Sequence, residues 1–314
     1  MGRPTTAMEI GLCMVVKDEV RQIRDCLGPL LDLFPEVAIV DTGSTDGTPD
    51  VLRAELAIEP MFMTIDEGRC GCLSAPRQEA MSRLSTPWIL MLDADERLPR
   101  SSLERLRGTS DDASVAGYFG RWINHLDGLA PFDDYKLFLF RKGLHTVGLV
   151  HDVIQHDIRA KGFHAAWLDE FDVSHFPDAS RQAAKDARYR ERLRCAIARE
   201  PQFIRYYWFL GYMDFLAGHI EAATDLLKRA ASARPRDCPV ESLNSAMVLA
   251  EIFARRNDRA RLEKTLDDAS QFFAAVGDDF EVAVNTRVGP WLASARENLR
   301  DDRLDRIRAY RFAC

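Results

Sequence analysis

VAIVDTGSTDGT, residues 37–48, is the stretch from which the fold can be read. A short apolar run stops abruptly at Asp41, and a polar turn containing Gly43 and Gly47 leads into residues 49–56, which read as a helix start. The order is strand, loop, helix. Upstream, Ile10–Val16 is another apolar run; it ends in Lys17-Asp18-Glu19, after which Ile23, Leu27, Leu30 and Leu31 recur at helical spacing. Downstream, a short strand is expected around residues 61–65 and a helix from about 75 to 84. WILML, residues 88–92, then reads as a buried strand that stops at Asp93-Ala94-Asp95-Glu96. Such alternation builds a mostly parallel sheet with helices on its faces. Ligands of these sheets bind beyond the carboxyl ends of the strands, so the acidic loops after Val16, Val40 and Leu92 are expected to meet at one site.

From Gly117 to about His175 the pattern changes to short mixed strands, with YKLFLFR at 135–141 and VGLVHDVIQHD at 147–157; these are expected to complete the same domain. Beyond Pro177 the chain is rich in Ala, Arg, Leu and Glu and reads as helical. Leu210-Gly211, Ala223, Leu227, Ala230 and Pro235 fall at the offsets of a tetratricopeptide helix pair, and Ala196 and Pro201 precede Ala230 and Pro235 by 34 residues. A more degenerate pair follows through Leu249, Leu262 and Ala269. An ordinary helical bundle packed through small residues is the competing reading. The expected organisation is a catalytic domain over 1–177 and a tetratricopeptide-like helical domain over 178–314.

The composition excludes several classes. With 46% hydrophobic residues in 314, the chain can bury a substantial core. A formal net charge of −7 argues against a nucleic-acid partner. No apolar run approaches a membrane span, and the N-terminus lacks a secretory pattern, so a soluble, cytoplasmic protein is expected. The 7 cysteines read as reduced thiols rather than a disulfide framework. Cys70 and Cys72 lack the second pair or histidines that a structural zinc site needs.

Asp93 and Asp95, one residue apart at a strand end, suit a hard divalent cation, Mg2+ or Mn2+, bridging them to a diphosphate; the alternative is an aspartate that caps a turn. Asp41 can accept hydrogen bonds from a base or ribose, and small residues beside it let a nucleotide approach the backbone. A plain Asp-Gly turn explains the glycines but not Asp41. Asp18 and Glu19 read equally as a solvated helix start.

Taken in order, LCMVVKDE, AIVDTGSTDGT, a helix carrying Ser74, Ala75 and Arg77, and WILMLDADE resemble the inverting family 2 glycosyltransferases. The set is particularly similar to the bacterial branch containing lipopolysaccharide-core transferases and peptide S-glycosyltransferases. The resemblance spans about residues 10–175. It implies the GT-A fold, a nucleotide-diphosphate sugar donor and inversion at the anomeric carbon. It also implies that Asp41 binds the nucleoside with Glu19 beside it, that Arg77 reaches the donor, and that Asp93, Ala94 and Asp95 form the donor and metal motif, with Asp95 the direct ligand. Where the branch usually reads Ala-Arg-Asn, this chain has Ala75-Pro76-Arg77-Gln78 after Cys-Gly-Cys. Gly148-Leu149-Val150-His151-Asp152 resembles the family's Gly-x-Val-His-Glu, which makes Asp152 the candidate general base; a surface pair on an edge strand is the alternative. His175 matches a histidine that closes the catalytic domain and is a candidate metal ligand beside a structural role.

The function so implied is transfer of a sugar to a saccharide, peptide or small-molecule acceptor, with the helices holding a peptide, an oligosaccharide or a second subunit of a homo-oligomer. A sugar-phosphate nucleotidylyltransferase shares the fold, but would carry a glycine-rich phosphate loop where this chain has Lys17-Asp18-Glu19. A non-catalytic helical-repeat interaction protein with a degenerate sugar-nucleotide domain sits poorly with intact Asp41, Asp93, Asp95 and Asp152.

Overall fold

The computed structural model describes residues 8–109, 112–235, 239–276 and 287–312. Residues 1–7, part of the stretch read above for a secretory signal, lie outside the described residues, as do Cys238 and Cys314. The chain divides into two compact units, residues 1–183 and 184–314.

The first unit is built on one sheet. Its strands are β1 (Ile10–Val16), β2 (Val37–Asp41), β3 (Met61–Phe62), β4 (Trp88–Met91), β5 (Glu96–Arg97), β6 (Val115–Asn124), β7 (Phe132–Arg141) and β8 (His164–His175), in spatial order β3-β2-β1-β4-β7-β6-β8-β5. β1 lies between β2 and β4 and pairs parallel with both, Val16 opposite Asp41 and Cys13 opposite Met91. A strand covered on both faces must be apolar throughout. Leu12, Met14, Ile39 and Leu90 of these three strands accordingly lie in the core with Phe138 and Phe171. Among its described residues lie the helices α1 (Ile23–Leu27), α2 (Thr48–Ala54), α3 (Ser74–Ser82), α4 (Arg100–Arg107) and α5 (Gln155–Ala160).

Beyond β4 the sheet turns antiparallel, because β7 and β6 form a hairpin, and β8 then pairs parallel with β6. This last pairing positions the end of β8. Asn124 and Glu96 both stand opposite His175, one on each side.

Residues 147–157 depart from the expected strand. Val147 and Val153 exchange backbone hydrogen bonds of 2.8 and 2.9 Å as an isolated bridge, and α5 follows at Gln155. Between them Gly148 at φ +103° and His151 at φ +51° reverse the backbone, so the segment doubles back instead of running along the sheet. His151 and Asp152 therefore sit on a tight loop.

The second unit is helical. α6 (Ala179–Arg199) crosses the boundary between the units and is followed by α7 (Arg205–Leu216), α8 (Ile220–Ala233), α9 (Pro239–Arg255), α10 (Arg259–Val276) and α11 (Val288–Arg300). Of the residues at the proposed repeat offsets, Ala196, Ala223, Leu227 and Ala230 are fully buried, whereas Pro201 is exposed and Pro235 half-buried. Gly211 lets α7 approach α8: a Cβ there would stand 2.9 Å from the Leu227 side chain and 3.2 Å from Cβ of Leu226. Among the described residues no helix is long and apolar enough to cross a membrane.

The reading of every cysteine as a reduced thiol needs correction. Cys13, Cys26 and Cys72 are free and buried. Cys70, in the first unit, is not a free thiol but is engaged in a disulfide, and the same holds for Cys195, in the second unit. The sequence offers no signal for this, because a disulfide needs spatial proximity that linear spacing does not show.

Gly120 governs the β6–β8 contact, since a Cβ there would stand 2.6 Å from the Phe171 carbonyl oxygen and 3.0 Å from its ring. Backbone cannot yield as a side chain can. Gly120→Val should therefore lower unfolding free energy by about 1–3 kcal/mol, read by chemical denaturation; an unchanged midpoint would refute the close packing.

Candidate functional site

The acidic loops after β1, β2 and β4 share one end of the sheet, as the parallel pairing requires. The first two are laced together. Backbone N–H groups of Asp18, Glu19 and Val20 donate to Ser44 Oγ at 2.8 Å, Thr48 Oγ1 at 2.8 Å and Asp46 Oδ2 at 3.0 Å. In return Asp18 Oδ1 accepts the Thr45 N–H at 2.7 Å. Gly47, at φ +88°, precedes α2 in a left-handed conformation that suits glycine.

Asp41 ends β2 and is fully buried. Its Oδ1 accepts N–H bonds from Gly43 at 2.8 Å and Ser44 at 2.7 Å, while Oδ2 has no hydrogen-bond partner. Leaving a buried carboxylate oxygen unpaired costs free energy, so such an atom marks a place where a donor from elsewhere fits. Glu19 is half-buried and stands 3.4 Å from Arg181 Nη1. Arg181 also donates to the backbone carbonyl of Asp18 at 2.6 Å and of Lys17 at 3.3 Å. Asp18, Glu19 and Arg181, with residues 20–22, Asp46, Asp178 and Ser180, line a polar cleft of about 340 Å³.

After β4 the two aspartates part company. Asp93 Oδ2 accepts from Lys136 Nζ at 2.6 Å, and the same ammonium donates to Glu96 Oε1 at 2.7 Å. Glu96 Oε2 takes the Asp93 N–H at 2.8 Å and closes the loop on itself. Burial acts to raise the Asp93 carboxyl, but the charges of Lys136 and Arg77 outweigh it and hold that group well below the usual carboxylate range. Burial pushes Glu96 up to about 7, against the pull of Lys136. Glu96 belongs to the quoted motif, yet its role was not legible there; Lys136 could have been noticed as a charge set inside the apolar strand YKLFLFR.

Asp95 faces His175 instead, with Oδ2 3.3 Å from Nε2. The imidazole stacks on Trp122 with ring centroids 4.6 Å apart, and its Nδ1 lies 2.8 Å from Asn124 Oδ1. Asn124 Nδ2 donates to the Trp122 carbonyl at 3.0 Å, which assigns the amide so that its oxygen faces the ring. Nδ1 must therefore carry the proton, and a neutral His175 presents the Nε2 lone pair towards Asp95. Two acceptors so arranged suit a cation between them. Among the described residues no group of three or more His, Cys, Asp or Glu side chains encloses a metal site. A pair of protein ligands still fits Mg2+ or Mn2+, which commonly complete their shell with water and substrate phosphates.

Arg77, on α3, forms an ion pair with Asp152 Oδ1. The Asp152 side chain is 2% exposed and its Oδ2 has no hydrogen-bond partner. Arg77 also acts electrostatically on Asp93, which links the Asp152 loop to the acidic loop after β4. Ser74 Oγ lies 2.5 Å from Thr146 Oγ1 and ties the start of α3 to the chain just before that loop. Cys13 lies beneath Arg77, its Sγ 3.9 Å from the Arg77 carbonyl, and burial pushes its thiol up to about 12. A thiol so raised is not a nucleophile at neutral pH.

Residues 12–164 match the family model described as glycosyl transferase family 2. A TPR repeat-containing protein of Synechococcus elongatus is 28% identical over 153 residues, covering 48% of this chain and 37% of that protein. The SPbeta prophage-derived glycosyltransferase SunS of Bacillus subtilis is 22% identical over 263 residues, covering 81% of this chain and 61% of that protein. The chain thus spans less than two thirds of the length of either relative. Among solved structures, S. aureus TarS in complex with UDP-GlcNAc is similar at 14% identity and a TM-score of 0.45, covering 98% of this chain and 94% of that one. The fold is a mixed α/β sheet followed by a helical region, and the sheet-bearing residues 12–164 are the part of the chain that is similar to glycosyl transferase family 2.

Proposed function

We propose that this chain is an inverting glycosyltransferase that moves a sugar from a nucleotide-diphosphate donor to a saccharide, peptide or small-molecule acceptor. The observation that carries the reading is the unpaired, buried Oδ2 of Asp41 at the same sheet end as the Asp95–His175 pair. One offers an acceptor to a nucleoside N–H or O–H. The other suits a divalent cation.

In this reading Asp41 binds the nucleoside, with Glu19 beside it. Asp95 and His175 would hold Mn2+ or Mg2+, which when bound would supply positive charge for the departing diphosphate. Asp93 and the backbone at Ala94 keep the loop in shape around the donor, and Arg77 contributes positive charge next to it. The acceptor hydroxyl attacks the anomeric carbon opposite the breaking bond to the diphosphate, and its proton passes to Asp152. Oδ1 of Asp152 is engaged by Arg77, which leaves Oδ2 as the atom that takes the proton. A base on the acceptor side must be distinct from the carboxylates of the donor loop, and Asp152 meets that condition. We assign residues 1–177 to the catalytic domain and the tetratricopeptide-like helices of 178–314 to the acceptor or to a second subunit. We also assign the protein to the cytoplasm.

A panel of nucleotide sugars screened by thermal shift tests the donor site, because a ligand that binds only the folded chain raises its melting temperature. One nucleotide sugar should shift the wild type more with Mn2+ than without. Asp95→Ala should keep the fold while losing both that metal dependence and turnover. Unchanged metal dependence and turnover in the folded variant would sink the assignment.

Asp152→Asn keeps the shape and most hydrogen bonding but removes proton acceptance. With a hydroxyl acceptor the rate should fall at least ~10²-fold while donor affinity stays nearly constant. A near-normal rate would exclude Asp152 as the base, and a large loss of donor affinity would move it to the donor site. A thiol acceptor, partly ionised near neutral pH, should show a smaller penalty.

A further inference from the structure

We propose that Lys136 is a positioning residue that stands in for a second cation in the acidic loop, reserving Asp95 for the metal by occupying Asp93. The inference rests on the reading of Asp95 and His175 as the metal's holders. Two aspartates separated by one residue, with Glu96 next to them, would ordinarily offer a divalent ion several carboxylate oxygens at once. Here the ammonium of Lys136 contacts Asp93 at 2.6 Å and Glu96 at 2.7 Å, so the ligand set is divided before any metal arrives.

Lysine suits this task because its ammonium is a compact charge with three donors, enough to serve two carboxylates that approach from different sides. Its location is determined by the sheet. Lys136 stands on β7 opposite Gly120, and β7 is the neighbour of β4, which feeds the acidic loop. The ammonium also lies over the rings of Trp122, at 5.4 Å, and Phe138, at 5.2 Å. Trp122 is the ring on which His175 stacks. One side chain thus pairs with both Asp93 and Glu96 and braces the plate behind the candidate metal ligand. Without it, Asp93 and Glu96 would be close carboxylates with no cation between them, and a divalent ion would be the natural replacement.

Manganese(II) alone is the probe, with free ion measured by electron paramagnetic resonance against wild type, Lys136→Met, Asp93→Asn and Asp95→Ala, each checked for folding by its melting temperature. Lys136→Met should bind Mn2+ at least about tenfold more tightly than wild type, or take up a second ion, as freed carboxylates join the site. A folded Lys136→Met protein that binds Mn2+ as wild type does would overturn the proposal. Should that variant not fold, Asp93→Asn decides: with Lys136 holding the position, Mn2+ affinity should stay within about threefold of wild type, and a loss of tenfold or more would make Asp93 a direct ligand and overturn the proposal. Asp95→Ala reports on the underlying reading separately. If it binds Mn2+ as well as wild type, the metal assignment itself fails, whatever Lys136 does.

Discussion

Asp18, Asp41, Asp93, Asp95 and Glu96 stand at one end of a single sheet, and their mutual repulsion and desolvation must be compensated for β1, β2 and β4 to lie side by side. Their surroundings are not alike. Backbone N–H groups serve Asp18 and Asp41, the Lys136 ammonium serves Asp93 and Glu96, and His175 faces Asp95. The chemistry available to each carboxylate follows from its compensation. A carboxylate saturated by an ammonium is a structural strut, whereas one with an unpaired buried oxygen, as at Asp41, retains capacity for a ligand.

The same logic separates the two sides of the site. Arg77 pairs with Asp152 and also acts on Asp93, so a single guanidinium stands between the acidic loop after β4 and the loop proposed to supply the base. Rigid elements hold both. α3 carries Arg77 and is tied to Thr146, while the Val147–Val153 bridge closes the loop around Asp152. Geometry of this kind lets two charged groups of opposite sign be buried without either being lost to the other chain segments.

The helical unit obeys a simpler rule, that of close packing. α9 is buried along nearly its whole length, and the segment after α11 contributes Phe312, whose N–H donates to Tyr212 Oη at 3.0 Å. Gly211 and the buried alanines of α8 allow the helices to approach one another there. Small residues at these positions are therefore required by packing within the unit, independently of what the unit binds.

How much could be read beforehand depended on the range of the interaction. The alternation of apolar runs with acidic turns determined the parallel half of the sheet, because burial on both faces forces apolar strands and the loops after parallel neighbours must share one end. Asp41, Asp93 and Asp95 were legible for that reason. Residues 147–157 were not, since Val147, Val150 and Val153 suit a strand as well as a loop, and only the positive φ of Gly148 and His151 decides between them. Nor could the sequence say which aspartate of Asp93-Ala94-Asp95 meets a lysine and which a histidine. Lys136 and His175 are 43 and 80 residues from Asp93 and Asp95 along the chain, and their arrival is decided by strand order and register. Local spacing specifies which residue types end a strand, while the charge that compensates each of them comes from whichever strand the tertiary fold sets alongside.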